Sequence, residues 1–377
     1  MTRLAHEPER NSGCRLREFV YRGHRCVSLE NAALRVVIAA DKGADIIEFL
    51  YKPLDIECLW RSRHGLREDA HLRFSSPLEG GHFREYFPGG WYEMLPNGPQ
   101  PCTHRGAAFG HHGEATLLPW SYRIVRDDPE GVGVVFSVRL GRIPLHLERA
   151  MFLEGETGTV RLEERLTNES GQPVEFLWGH HPTFGAPLVE PGTRIFLPAG
   201  TTTSTGEAVL AGSRVAASAR GAWPRLAASE GDGEIDLSVV PELGAGSHEF
   251  VRLDDLDEGW FAIVNPRREV GFALRWDVTT FPMAGLWQVW GGGPDYPWYG
   301  MPHLLALEPA SDLPSLAESV RRGTAITLEG GESRRTELEA TVFRGHATVT
   351  HVGRKGVIEG LGSHHPSATP AGAGSQA

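Results

Sequence analysis

Val270-Gly-Phe-Ala-Leu-Arg-Trp-Asp-Val278 places Val270, Phe272, Leu274, Trp276 and Val278 at every second position. That is the period of a strand with one face against a core. The same alternation recurs over Leu34–Ala39, Ile46–Leu50, Ser121–Val125, Val132–Leu140, Leu145–Leu153, Val160–Leu166, Val174–Trp178, Trp260–Val264 and Leu304–Leu307. Gly, Pro, Asn and Asp separate these runs, as turns require. One helix is expected, Ser311 to Gly323, with Ser311 or Asp312 as N-cap, Pro314 in the first turn and Gly323 past the end. Strands that follow strands without intervening helices cannot be parallel βαβ units, so large antiparallel sheets packed as a sandwich are expected.

The chain has 377 residues, 40% hydrophobic and 23% charged, which excludes disorder along its whole length. Residues 1–12 and 362–377 read as unstructured tails flanking one domain over 13–361, and the Gly- and Ala-rich stretch Pro198 to His248 reads as a long excursion within it. Net charge is 37 − 48 = −11, and no dense Lys/Arg run tracks a phosphate backbone, so no nucleic-acid partner is expected. Four scattered cysteines without a C-x-x-C, the lack of a secretory leader and the lack of an 18-residue apolar run point to a cytoplasmic protein without a membrane partner. A monomer or a homodimer fits equally.

Phosphate-loop, dinucleotide-binding, nucleophile-elbow and H-E-x-x-H signatures are missing. Two His pairs stand out instead, Phe109-Gly-His-His-Gly-Glu-Ala115 and Trp178-Gly-His-His-Pro-Thr-Phe-Gly185, together with Leu305-Ala-Leu-Glu-Pro309. Neighbouring residues of a strand point to opposite faces, so each pair offers at most one ligand to a site, and no metal is expected.

These motifs, in this order, resemble those of the aldose 1-epimerases, the galactose mutarotase-like family. Leu34-Arg-Val-Val-Ile-Ala-Ala-Asp-Lys-Gly-Ala-Asp-Ile-Ile-Glu-Phe-Leu50 is similar to its opening hairpin, and His112-Gly113 with Pro119-Trp120 to its His-Gly motif and downstream Trp. His181-x-x-Phe184 is similar to its His-x-Tyr-Phe segment, Phe281-Pro282 to Val289-Trp290 to the strand before its catalytic Glu, and Leu307-Glu308-Pro309 to its Glu-Pro motif. Leu328-Glu-Gly-Gly-Glu-Ser333 resembles its closing turn. Pro182, Thr183 and Gly185, and Ala310-Ser311, depart from the usual residues. The resemblance implies an all-β supersandwich with very little helix and an isomerase that interconverts the α and β anomers of a free sugar without a cofactor.

That reaction takes a proton from the C1 hydroxyl and gives one to the ring oxygen, so a base and an acid of similar strength are needed. On the resemblance Glu308 is the base and His181 the acid, and His112 hydrogen-bonds the ring oxygen or a neighbouring hydroxyl. Arg84, Glu93 and Asn97, within the turn-rich stretch Arg84 to Asn97, are expected to bind the sugar, unless its aromatic residues plug one end of the sandwich. Gln288 and Trp290 are candidates on the same grounds, and Asp254, Asp257 and Asp295 are open candidates for a substrate-binding Asp. A sugar-binding protein without turnover and a hexose-6-phosphate mutarotase are the competing readings.

Overall fold

The computed structural model describes residues 10–68 and 87–362. Residues 1–9 and 363–377 of the expected tails, and Arg84, lie outside the described residues, whereas Arg10 is held by the Asp127 carboxylate. Two large sheets dominate, one of twelve strands and one of eight, accompanied by four two-stranded ribbons. Among the described residues the named strands pair antiparallel, as expected of strands that follow one another without intervening helices.

Along the chain come β1 (Arg15–Tyr21), β2 (His24–Glu30), β3 (Leu34–Ala39), β4 (Asp45–Tyr51), β5 (Trp91–Met94), β6 (Ser121–Asp128), β7 (Gly131–Arg139), β8 (Leu145–Glu154) and β9 (Thr159–Asn168). They continue with β10 (Gly179–Phe184), β11 (Arg194–Phe196), β12 (Thr202–Ser204), β13 (Arg220–Ala222), β14 (Ser247–Asp254), β15 (Trp260–Asn265), β16 (Val270–Trp276), β17 (Met283–Trp290) and β18 (His303–Ala310). Helix α1 (Leu316–Arg322) and β19 (Ser333–Arg344) follow. The larger sheet runs β1-β2-β3-β4-β5-β10-β18-β17-β14-β12-β13, with a two-residue strand, Ile56–Glu57, added on β4, and the smaller runs β11-β15-β16-β19-β9-β8-β7-β6. The excursion expected over 198–248 contributes β12 and β13 to the rim of the larger sheet.

Val270, Phe272, Leu274 and Trp276 of β16 all enter the core between the sheets. Phe272 meets Phe49 of β4 and Phe184 of β10, with ring centroids 5.4 and 4.8 Å apart, which ties the two sheets together. The opposite face of β16 is also covered, since Ala273 packs with Phe343, Val349 and Val352 of the C-terminal segment.

Helix α1 is shorter than the sequence suggested, and its N-cap is Ser315 rather than Ser311 or Asp312. The Ser315 hydroxyl accepts from the Glu318 N–H, and Gly323 closes the helix in the left-handed conformation. Asp312 is drawn elsewhere: it receives the Arg252 guanidinium at 2.6 Å and the Ser319 hydroxyl at 3.0 Å. All four cysteines are free. Among the described residues no helix is long and apolar enough to cross a membrane.

Because Phe272 bridges both sheets, Phe272→Ala should cost about 3–5 kcal/mol in urea denaturation. Leu243→Ala, at an exposed side chain, should change stability by no more than about 0.5 kcal/mol.

Candidate functional site

The site lies on the face of the larger sheet that points away from the core between the sheets. On β10, His180 and Phe184 turn inward while His181 and Thr183 share the other face. On β18, Leu305 and Leu307 enter the core, which leaves Ala306, Glu308 and Ala310 opposite them. Thr183 faces Ala306 and Gly179 faces Ala310, a register that sets His181 beside Glu308. Tyr92 of β5 lies across from His181 on one side and Gly285 of β17 across from Glu308 on the other. The row Tyr92, His181, Glu308, Gly285 is the floor of the site.

His181 Nε2 stands 3.1 Å from Glu308 Oε1, with both side chains almost wholly buried. The Tyr92 ring stacks on the imidazole at 4.5 Å, and Phe87 and Trp287 each approach it at 5.9 Å. Trp60 and Trp298 close the aromatic wall around Phe87. A Cβ at Gly285 would come 3.3 Å from Glu308 Oε2, so the missing side chain keeps room beside the carboxylate.

His112 reaches the site from a turn rather than a strand. Its backbone is left-handed (φ 58°), and the following Gly113 (φ 78°) has no space for a side chain, because a Cβ would lie 2.2 Å from the Leu95 carbonyl oxygen. The His112 ring lies 5.4 Å from that of His181. Burial, helped by His111 and His181, pushes its pKa well below the usual histidine range, so His112 is a neutral hydrogen-bonding group. Burial likewise pushes the Tyr92 phenol well above its ordinary value, with Glu308 adding to the shift.

Of the other residues expected here, Glu93, Asn97, Gln288 and Trp290 are not part of this face. Glu93 follows Tyr92 on β5 and turns into the core, where the Trp178 indole donates to Oε1 and Arg149 Nη1 lies 3.3 Å from Oε2. Asn97 is a brace: its amide donates to the carbonyls of Gln100 (2.9 Å) and Gly110 (2.8 Å), and its oxygen accepts from the Leu316 N–H at 2.7 Å. It thereby joins the turn carrying His112 to the start of α1. Gln288 and Trp290 take the core face of β17, where Gln288 donates to the Leu237 carbonyl at 2.9 Å. The aromatic residue of β17 that faces the site is Trp287, whose indole N–H donates to His248 Nε2 at 2.8 Å. Among the open aspartates, Asp254 accepts from Arg252 Nε at 2.7 Å, whereas Asp257 is exposed and Asp295 sits in the loop before Trp298.

Behind the floor lies a second polar group. Glu93, Glu164 and His180 bring three ligand-type atoms within 4.8 Å of one another, all buried. The Trp91 indole, which can only donate, points at His180 Nδ1 at 3.2 Å, so Nδ1 accepts and Nε2 carries the proton toward Glu164 Oε2 at 3.1 Å. A cation on Nε2 would move that proton onto Nδ1, against the Trp91 N–H, so the hydrogen bonds here fit a proton and not a metal. Burial pushes His180 down to about 4, and the neutral ring leaves Arg149 as the cation of the group. Burial raises Glu93 and Glu164 each to about 7, and the Glu164 charge adds to the shift of Glu93.

The family described as "Domain of unknown function (DUF4432)" matches residues 21–342. The chain belongs to the DUF4432 family. No curated protein matches it. Among solved structures, this DUF4432 protein is similar to a candidate aldose 1-epimerase from Klebsiella pneumoniae, at 14% identity and TM-score 0.66, with 88% of each chain covered. It is also similar to a galactose mutarotase-like protein from Clostridium acetobutylicum, at 13% identity and TM-score 0.60, covering 89% of this chain and all of that one. A galactose mutarotase-like protein from Lactobacillus casei matches at 15% identity and TM-score 0.54, over 84% of this chain and 100% of that one. At these identities the likeness is one of fold: the DUF4432 chain has the mutarotase-like architecture.

A carboxyl whose pKa is raised from the ordinary 4.5 to about 7 in the folded state stabilises the fold most below about pH 4.5, and that contribution is lost as pH rises through about 7. The melting temperature should therefore fall between pH 5 and 8. Glu164→Gln, which keeps an acceptor for His180 Nε2–H and cannot ionise, should flatten that fall in calorimetric scans; an unchanged slope would show that the buried pair does not govern it.

Proposed function

We propose that this DUF4432 protein is an aldose 1-epimerase, acting on the C1 hydroxyl and ring oxygen of a free aldose. The observation that carries the reading is the 3.1 Å contact between His181 Nε2 and Glu308 Oε1 on one face of the sheet, with neutral His112 alongside. Proton transfer needs one group that takes and one that gives, held within hydrogen-bond reach of the same small region.

In the proposed reaction Glu308 takes the proton of the C1 hydroxyl while His181 gives its Nε2 proton to the ring oxygen. The C1–O5 bond breaks as the C1 carbonyl forms, and rotation about C1–C2 presents the other carbonyl face. On reclosure Glu308 returns its proton to the carbonyl oxygen and His181 recovers its own from the attacking hydroxyl. His112 supports the charge that develops on the oxygens, and Trp287 supplies a flat apolar surface for the C–H face of the sugar. The free cysteines accord with a reducing, cytoplasmic setting.

Anomer exchange is measured by NMR magnetisation transfer on a panel of free and 6-phosphorylated aldoses. Wild type should accelerate exchange of at least one free sugar, and Glu308→Gln and His181→Asn should each lower that rate by about 10²–10⁴-fold with the fold retained. Binding without acceleration would instead indicate a sugar-binding protein, and acceleration confined to phosphorylated sugars would change the substrate class.

A further inference from the structure

Trp287, the proposed surface for the sugar, is the one residue of β17 that is only partly buried. Rings surround it, with His181 at 5.9 Å, Phe87 at 6.4 Å and Trp298 at 5.4 Å between centroids. Ring contacts of this kind contribute area, whereas a hydrogen bond fixes direction. Direction comes from the indole N–H, which donates to His248 Nε2 at 2.8 Å. The pairing of β14 with β17 sets this up. Phe250 lies across from Trp287 and Val289 across from His248, so His248 and Trp287 are diagonal neighbours on one face of the sheet.

His248 is itself held in place. Its backbone N–H donates to the Gly212 carbonyl at 3.3 Å. In the loop after β17, a Cβ at Gly292 would come 2.9 Å from His248 Cβ, and one at Gly293 would come 3.3 Å from His248 Nδ1. That loop leaves the imidazole little room to swing away from Trp287. The polarity of the contact is fixed as well. An indole N–H can only donate, so Nε2 is the acceptor and the ring proton sits on Nδ1. Burial holds the His248 pKa below its ordinary value, which keeps the ring uncharged at neutral pH and the Nε2 lone pair available.

We propose that His248 is a positioning residue: by accepting the hydrogen bond of the Trp287 indole, it holds that ring across the site in the orientation on which the sugar packs. The inference rests on the mutarotase reading for its effect on turnover, whereas the hydrogen bond and the tautomer can be read without any substrate.

The Trp287 indole resonance in ¹H–¹⁵N spectra, assigned by its loss in Trp287→Phe, tests the contact directly. It should move upfield and exchange faster with deuterated water in His248→Leu, and return in His248→Gln, whose amide oxygen accepts in place of Nε2. Long-range ¹H–¹⁵N spectra should show His248 in the Nδ1–H form in wild type. For an aldose turned over by wild type, KM should rise about tenfold in His248→Leu, with kcat within about threefold, and recover in His248→Gln. Trp287→Phe, which keeps a ring without an N–H, should also raise KM, and adding His248→Leu to it should change KM no further. His248→Ala gives the same comparisons should the leucine variant fail to fold. An indole resonance unaltered by loss of the imidazole, or an Nε2–H form in wild type, would overturn the proposal. A displaced indole with unchanged KM, or a KM effect of equal size in the Trp287→Phe background, would overturn its catalytic part. If no aldose is turned over, the mutarotase reading fails, and the spectra still decide whether His248 sets the indole.

Discussion

A β-strand has two faces, and in β10 both are buried. In a sheet with one face in water, one member of a His-His pair would be solvated and unremarkable. Here each must be satisfied within the protein, and the two-residue period sends them to separate surroundings. His180 goes to the core, where the Trp91 indole donates to Nδ1 and Glu164 accepts from Nε2–H. His181 goes to the outer face, where it meets Tyr92, Thr183 and Glu308. The register of β5, β10, β18 and β17 then decides which of their residues join the site and which join the support behind it.

The two faces divide the electrostatic work. In the core, Arg149 offsets one carboxylate and burial keeps a proton on the pair, so charge is limited where it would be most costly. On the outer face, His112 is held neutral and Tyr92 is held as the phenol. In the proposed reaction that leaves His181 and Glu308 as the groups that move protons, with the surrounding rings as walls and hydrogen-bond partners. The left-handed turn at His112 and Gly113, braced by Asn97, is the local backbone distortion that this arrangement requires.

The fold was legible because alternation survives in long strands: β3 matches its expected limits, and β8 and β16 lie within a few residues of theirs. His181 and Glu308 were singled out through motif resemblance, and the register of β10 and β18 brings them together. Glu93, Gln288 and Trp290 were misplaced for a common physical reason. In β5 and β17 both faces are apolar or aromatic, so Trp91 and Tyr92, or Trp287 and Trp290, give no alternation to tell inward from outward. In β18 the distinction is present in the sequence, since Leu305 and Leu307 alternate with Ala306, Glu308 and Ala310. Reading β17 through its pairing with β18 would have selected Trp287 and left Gln288 and Trp290 in the core. Asn97 could not have been sorted in this way, because its role depends on two turns distant in sequence.

The claim that the outer face of β10 and β18 carries the chemistry is tested most directly by a crystal structure of the protein soaked with a panel of free aldoses. The account predicts a sugar lying against Trp287, its C1 hydroxyl within hydrogen-bond distance of Glu308 and its ring oxygen within reach of His181 Nε2. A sugar seated elsewhere, or no sugar at this face with any aldose, would contradict it.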